Sequence, residues 1–150
     1  MNKYVISVLG KDRPGIIARV TKVLFELEFN IEDVSQTIIQ GEFSGIFIVM
    51  GPENISDQEV TQSLIHATND MELQCYVKEF SGKSSDWTTC ACESYVITTR
   101  GPDRKGLVAQ ITDVLAKHNV NVTQLQAVFR GGDEPGRTIE LRTHSARLAC

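Results

Sequence analysis

A chain of 150 residues that is 41% hydrophobic and 23% charged has room for one ordinary domain or two small ones with a buried core. Its formal charge of -4 offers no general attraction to phosphate backbones or anionic membranes, so direct nucleic-acid binding is disfavoured. No apolar run approaches the roughly 18 residues of a membrane span, and the chain enters a strand pattern almost at once, which reads as a cytoplasmic protein.

The first predicted element is a short strand that includes Tyr4-Val5-Ile6. The stretch GKDRPGIIARV, Gly10 to Val20, ends it, turns at Pro14 and Gly15 and opens a helix on which Ile17, Val20, Leu24 and Leu27 recur at helical spacing. Pro14 is expected in the first turn of that helix, and Asp12 is a candidate cap for its free amides. From Asn30, IEDVSQTIIQ reads as a strand, GEFSG as a turn and IFIVMG as a buried strand, which together make a hairpin. Ser56 to Glu59, SDQE, fits a capping box, with Val60, Leu64, Ala67 and Met71 on one stripe behind it. The strand LQCYVKEF follows, with Cys75 alternating among apolar residues. Residues 1–80 are thus expected to form a β-α-β-β-α-β unit, the ferredoxin-like arrangement of two helices on one face of a four-stranded antiparallel sheet.

The segment SGKSSDWTTCACES carries Gly and Ser without helical or alternating pattern, so 81–93 reads as a linker with Trp87 as its anchor. Cys90 and Cys92 have no histidine at ligand distance and read as reduced thiols, so neither a metal nor a cofactor is expected. Then the opening motif returns as GPDRKGLVAQI, Gly101 to Ile111. Asp12 and Asp103, Gly15 and Gly106, and Ala18 and Ala109 are each 91 residues apart, and a constant offset means duplication. The second copy predicts a strand near Ser94 to Arg100 and a helix bearing Leu107, Val108, Ile111, Val114 and Leu115. The strands NVTQLQAVFR and RTIELRTH follow, joined by GGDEPG. Copy one spans 78 residues from Lys3 to Phe80, copy two 57 from Ser94 to Cys150. The expectation for 94–150 is therefore a C-terminally incomplete unit lacking the final helix and strand. The fold class is α+β.

A doubled βαββαβ pattern whose first turn reads DRPG and whose second strand starts with Asn30-Ile31 resembles the ACT-domain family of small-molecule-sensing regulatory modules. In detail it resembles the stand-alone tandem-ACT proteins grouped with the glycine cleavage system transcriptional repressor. The resemblance implies units that pair through their sheets and bind an amino acid at the seam. It places ligand contacts at Asp12, Arg13, Pro14, Gly15, Ile16, Asn30 and Ile31, and in copy two at Asp103, Arg104, Gly106, Leu107, Asn121 and Val122. Lys105 departs from the pattern by standing where a proline is expected.

The chemistry suits those positions. A helix N-terminus presents unpaired amides to a carboxylate, an aspartate accepts from an ammonium, and an asparagine amide can hold either end. Asp12 to Asn30 and Asp103 to Asn121 are both 18 residues apart, a separation expected to carry the chain out along one helix and back beside its start. Fold needs alone also explain each residue singly: Gly15 for the turn, Asp12 as a cap, Asn30 to end the helix in a left-handed conformation. No nucleophile elbow, phosphate loop or HExxH motif is present, and His66, His118 and His144 are scattered, so the chain is not read as an enzyme. The expected function is a non-catalytic sensor of a small amino acid, glycine among the candidates, acting as a homodimer on a protein partner. The alternatives are an assembly module without a ligand, or the detached regulatory front of an enzyme such as a phosphoserine phosphatase.

Overall fold

A computed structural model describes residues 2–80, 93–102, 105–130 and 138–147. The chain divides into two compact units, Met1–Gly82 and Lys83–Cys150. Residues 81–92, with Trp87, Cys90 and Cys92 of the expected linker, lie outside the described part, and Glu93 already opens a strand.

The first unit runs β1 (Asn2–Lys11), α1 (Ile16–Glu26), β2 (Asn30–Ile39), β3 (Glu42–Gly51), α2 (Asp57–Ala67), a 3₁₀ turn (Asn69–Met71) and β4 (Gln74–Glu79). Its sheet has the order β2-β3-β1-β4 with every neighbouring pair antiparallel. Alternation sends Tyr4, Ile6 and Val8 of β1 and Phe43, Phe47 and Val49 of β3 to one face. There they meet Ile16, Val20, Val23 and Leu24 of α1 and Val60 and Leu64 of α2 in one core. Ile17 and Leu27 pack at its margin.

The capping box of α2 is present: the Glu59 amide donates to Ser56 Oγ at 3.2 Å, and the Ser56 amide donates to Glu59 Oε2 at 2.8 Å. The Ser56 amide foremost, and the Ser56 hydroxyl, which also donates to Glu59 Oε2 at 2.9 Å, hold the Glu59 carboxyl below its ordinary value of 4.5. The start of α1 differs from expectation. Its cap is Gly15, left-handed at φ 94°, with no side-chain capping bond, so Asp12 is not a cap and Pro14 precedes the helix rather than entering it. The helix ends at left-handed Glu28 (φ 62°), not at Asn30, which is already the first residue of β2.

The second unit runs β5 (Glu93–Pro102), α3 (Leu107–Lys117), β6 (Val120–Arg130) and β7 (Thr138–Arg147), with the sheet order β5-β7-β6. This repeats the β1-β3-β2 part of the first unit. The backbone repeats in detail as well: left-handed Gly15 and Glu28 recur as Gly106 (φ 84°) and Asn119 (φ 54°). The register shift between Ile31 and Asp33 recurs between Val122 and Gln124. A helix on the Leu107 stripe is confirmed, but Val114 is exposed rather than packed. Among the described residues this unit has no second helix and no fourth strand.

Candidate functional site

The loop between β1 and α1 is exposed from Asp12 through Gly15. Its position is fixed from below, because the Asp12 amide donates to the Gly41 carbonyl at 2.8 Å and so ties the loop to the β2–β3 turn. It is also fixed from the side. The Arg13 guanidinium donates to the Asp70 carbonyl at 3.1 Å, and Arg19 reaches the Ala67 carbonyl at 2.9 Å and Asp70 Oδ1 at 2.8 Å. Two cations at the end of α2 suit its dipole, so in this structure Arg13 serves the scaffold. Ile16 is buried in the core and Gly15 lies under the Met71 methyl, whose distance to an added Cβ would be 3.6 Å. What the loop leaves open is the start of α1: amides without a side-chain cap, next to the exposed Asp12 carboxylate.

Asn30 is exposed and Ile31 half-buried, and they open β2. They are not beside Asp12. Asn30 pairs with Met50, which pairs with Lys3 at the start of β1, whereas Asp12 follows Lys11, paired with Glu42 at the other end. The eight steps from Lys3 to Lys11 set the two about 27 Å apart at the usual rise of a strand. The expectation that 18 residues return the chain to its starting point is therefore wrong. One helix reverses the chain once, so α1 carries it back along β1 to the opposite end of the sheet.

The same geometry holds in the second unit. Gly106 caps α3, with Leu107 half-buried behind it, while Asn121 and Val122 open β6 at the level of Ala146 and Ser145. Asp103 and Arg104 lie outside the described residues. Asn121 lines a small cleft of about 180 Å³ with Ala116, Asn119 and Val120. The equivalent of Val120 in the first unit is Phe29, which is buried edge-on against Tyr4 with ring centroids 5.5 Å apart.

A larger cleft of about 380 Å³ lies at the start of α2, lined by Glu53, Asp57, Glu79, Tyr4 and Ser56 among others, away from the Asp12 loop. Its best donors are spoken for, since the Tyr4 hydroxyl donates to the Ile55 carbonyl at 2.7 Å and Ser56 serves the capping box. Among the described residues no cluster of His, Cys, Asp and Glu could hold a metal ion, and no helix is long and apolar enough to cross a membrane.

One further feature was not visible in the sequence pattern: β2 is an edge strand in which every residue but Ile31 is exposed, Val34, Ile38 and Ile39 included. A ten-residue edge with apolar side chains is a template for another strand.

Comparison with known proteins agrees with this architecture. The ACT-domain family profile matches residues 2–78, and a second ACT-domain profile matches residues 95–128. The chain is 39% identical over 66 residues to a UPF0237 protein of Methanosarcina mazei, covering 44% of this chain and 72% of that protein. It is 33% identical over 79 residues to a UPF0237 protein of Methanopyrus kandleri, covering 52% and 88%. Among solved structures, an unknown protein from Galdieria sulphuraria superposes with a TM-score of 0.78 at 24% identity, covering 97% of this chain and 81% of that one. A second, described as a "putative glycine cleavage system transcriptional repressor", gives 0.70 at 22% identity, covering 97% and 80%. At such identities the two structures show the likeness of fold. The chain belongs to the ACT-domain family of regulatory modules and carries two of them in tandem.

Proposed function

We propose that this protein is a non-catalytic sensor that binds a small amino acid where two copies pair their β2 edges, and that it signals occupancy to a protein partner. The carrying observation is the separation of Asp12 and Asn30 to opposite ends of one sheet. Two β2 edges running antiparallel about a two-fold axis set the Asn30 end of one strand beside the Ile39 end of the other. At the Ile39 end, Gly41 holds the Asp12 loop. The loop of one copy and the Asn30 of its partner thus converge on one point at the seam, which a single unit cannot achieve.

The chemistry of that point fits an α-amino acid. The carboxylate takes the uncapped amides of α1, the ammonium donates to Asp12, and the partner's Asn30 supplies a donor and an acceptor. Gly106, the cap of α3, and Asn121 of β6 repeat these positions in the second unit. Glycine is the leading ligand, on the strength of the repressor whose fold this chain shares. Such a site reads ligand occupancy as pairing of subunits, which a partner protein can sense without any reaction.

Calorimetry of the full chain against the twenty amino acids tests the reading. Binding of at least one small amino acid, weakened by Asp12→Ala with the melting temperature unchanged, is the expected result. A panel without binding, or undiminished affinity in D12A, overturns it in favour of an assembly module.

A further inference from the structure

The helices cover one face of the first unit's sheet, and the opposite face carries an ordered pattern of its own. Across the strands from β2 to β4 one row reads Asp33, Ile48, Val5, Lys78, and the next reads Ser35, Ile46, Ser7, Tyr76. The row after that is Thr37, Ser44, Leu9, Gln74, and at the far end Glu42 lies beside Lys11. Ile46, Leu9 and Tyr76 are largely exposed, and Val5, Ile48 and Met50 half-buried, so a broad apolar centre faces outward. Asp33 and Lys78 stand at the two edges of the same row, and among the described residues neither has an ion-pair partner. Lys3, by contrast, is already held by Glu32 and the Phe80 ring.

We propose that this helix-free face is a self-pairing surface, stacked on the same face of a second copy about a two-fold axis that runs parallel to the strands between β1 and β3. That axis exchanges β2 with β4 and β1 with β3 while keeping each row at its level. It sets Asp33 against the partner's Lys78 and Lys78 against the partner's Asp33. At the far end it sets Glu42 against the partner's Lys11. Ile48 lies over the partner's Val5 and Leu9 over the partner's Ser44, which closes the apolar centre.

Charge selects this axis over the other two-fold. An axis running across the strands keeps β1 over β1 and brings Lys11 over the partner's Lys3, like charge on like. Area is sufficient as well: three strands about 30 Å long and the shorter β4, about 20 Å, at the usual spacing present roughly 600 Å² per copy. Two copies then bury about 1,200 Å², the lower bound of a stable specific interface. The surface is a face and not the β2 edge, so the inference is independent of the amino-acid site.

Sedimentation of the full chain over a wide concentration range tests it, with melting temperatures to confirm that each variant folds. With the β2 edges pairing as well, the wild type is expected to assemble beyond a dimer at high concentration. Lys78→Glu sets acid against Asp33 and is expected to weaken the face-mediated step about tenfold or more, and adding Asp33→Lys restores it by exchanging the pair. Ile46→Lys, which charges the apolar centre, is expected to abolish that step and leave the edge-paired dimer. A wild type that never passes the dimer overturns the proposal, as does an assembly that ignores both K78E and I46K or a charge exchange that rescues nothing. A dimer indifferent to I46K yet still binding an amino acid leaves the edge seam standing and removes the face alone.

Discussion

The two units share a backbone and differ in what it encloses. Tyr4 is 3% exposed and its counterpart Tyr95 46%, and Val23 is 6% exposed against 55% for Val114. In the first unit α2 lies against α1 and closes the core, while no such helix stands among the described residues of the second. Turn geometry, helix length and the bulge after the helix survive that difference intact, because they are satisfied locally by Gly, by the left-handed residue and by strand register. Burial does not survive, because it is a property of neighbours. Individual residues follow the same division: Arg19, which reaches the end of α2, becomes Gln110 in the copy where that partner is lacking among the described residues.

The sharpest way to break the comparison is at the end of β3. A Cβ on Gly51 would come within 2.3 Å of the Phe29 ring, whereas the second unit pairs Val120 with Arg147 at the same register. Gly51→Ala is expected to cost about 3 kcal/mol in urea unfolding of the first unit. The double variant with Phe29→Val should lose less than the sum of the two singles, since the smaller valine makes room for the added methyl. Simple additivity would contradict this.

Gly10 and Gly101 offer a smaller contrast between identical residues. An added Cβ meets Leu73 Cδ2 at 2.7 Å in the first and nothing within 4 Å in the second. Gly10→Ala is expected to destabilise by about 1–2 kcal/mol, and Gly101→Ala to stay within about 0.5 kcal/mol, by the same unfolding measurement. Arg19→Gln, which copies the second unit, should cost about 1 kcal/mol, a modest figure because the Asp70 end of the contact is exposed.

The α2 cap gives an effect of about the same size with a signature in pH. Ser56→Ala is expected to lower stability by about 1 kcal/mol. The Glu59 carboxyl is held below its ordinary 4.5 in the folded state, so its contribution is complete above that value and fades as pH falls through the lowered one. Glu59→Gln should flatten this part of the acid limb in thermal melts below pH 4.5, and an unchanged limb would remove the capping carboxylate from the account.

Much of this was legible in the sequence. The duplicated GxDRxG motif, the capping box and the alternation of β1 and β3 each announce themselves within a few residues, since local spacing determines them. What escaped depends on direction and partners. The interval from Asp12 to Asn30 says that the chain returns but not to which end of the sheet, and only the strand register answers that. Left-handed Glu28 gave no signal, because the helix end is set by the Phe29 ring entering the core one residue later. The bond from Arg13 to the Asp70 carbonyl gave no local signal either, because it depends on a contact 57 residues away.

The central claim is that loop and asparagine come from different copies, and subunit complementation measures it directly. Asp12→Ala and Asn30→Ala chains should each lose the first unit's amino-acid sites in calorimetry. Mixed and allowed to exchange, they should regain about a quarter of those sites, because half of the symmetric dimers are then hybrids with one intact site of two at the seam. A mixture that binds no better than either variant alone would contradict a site shared across the two-fold.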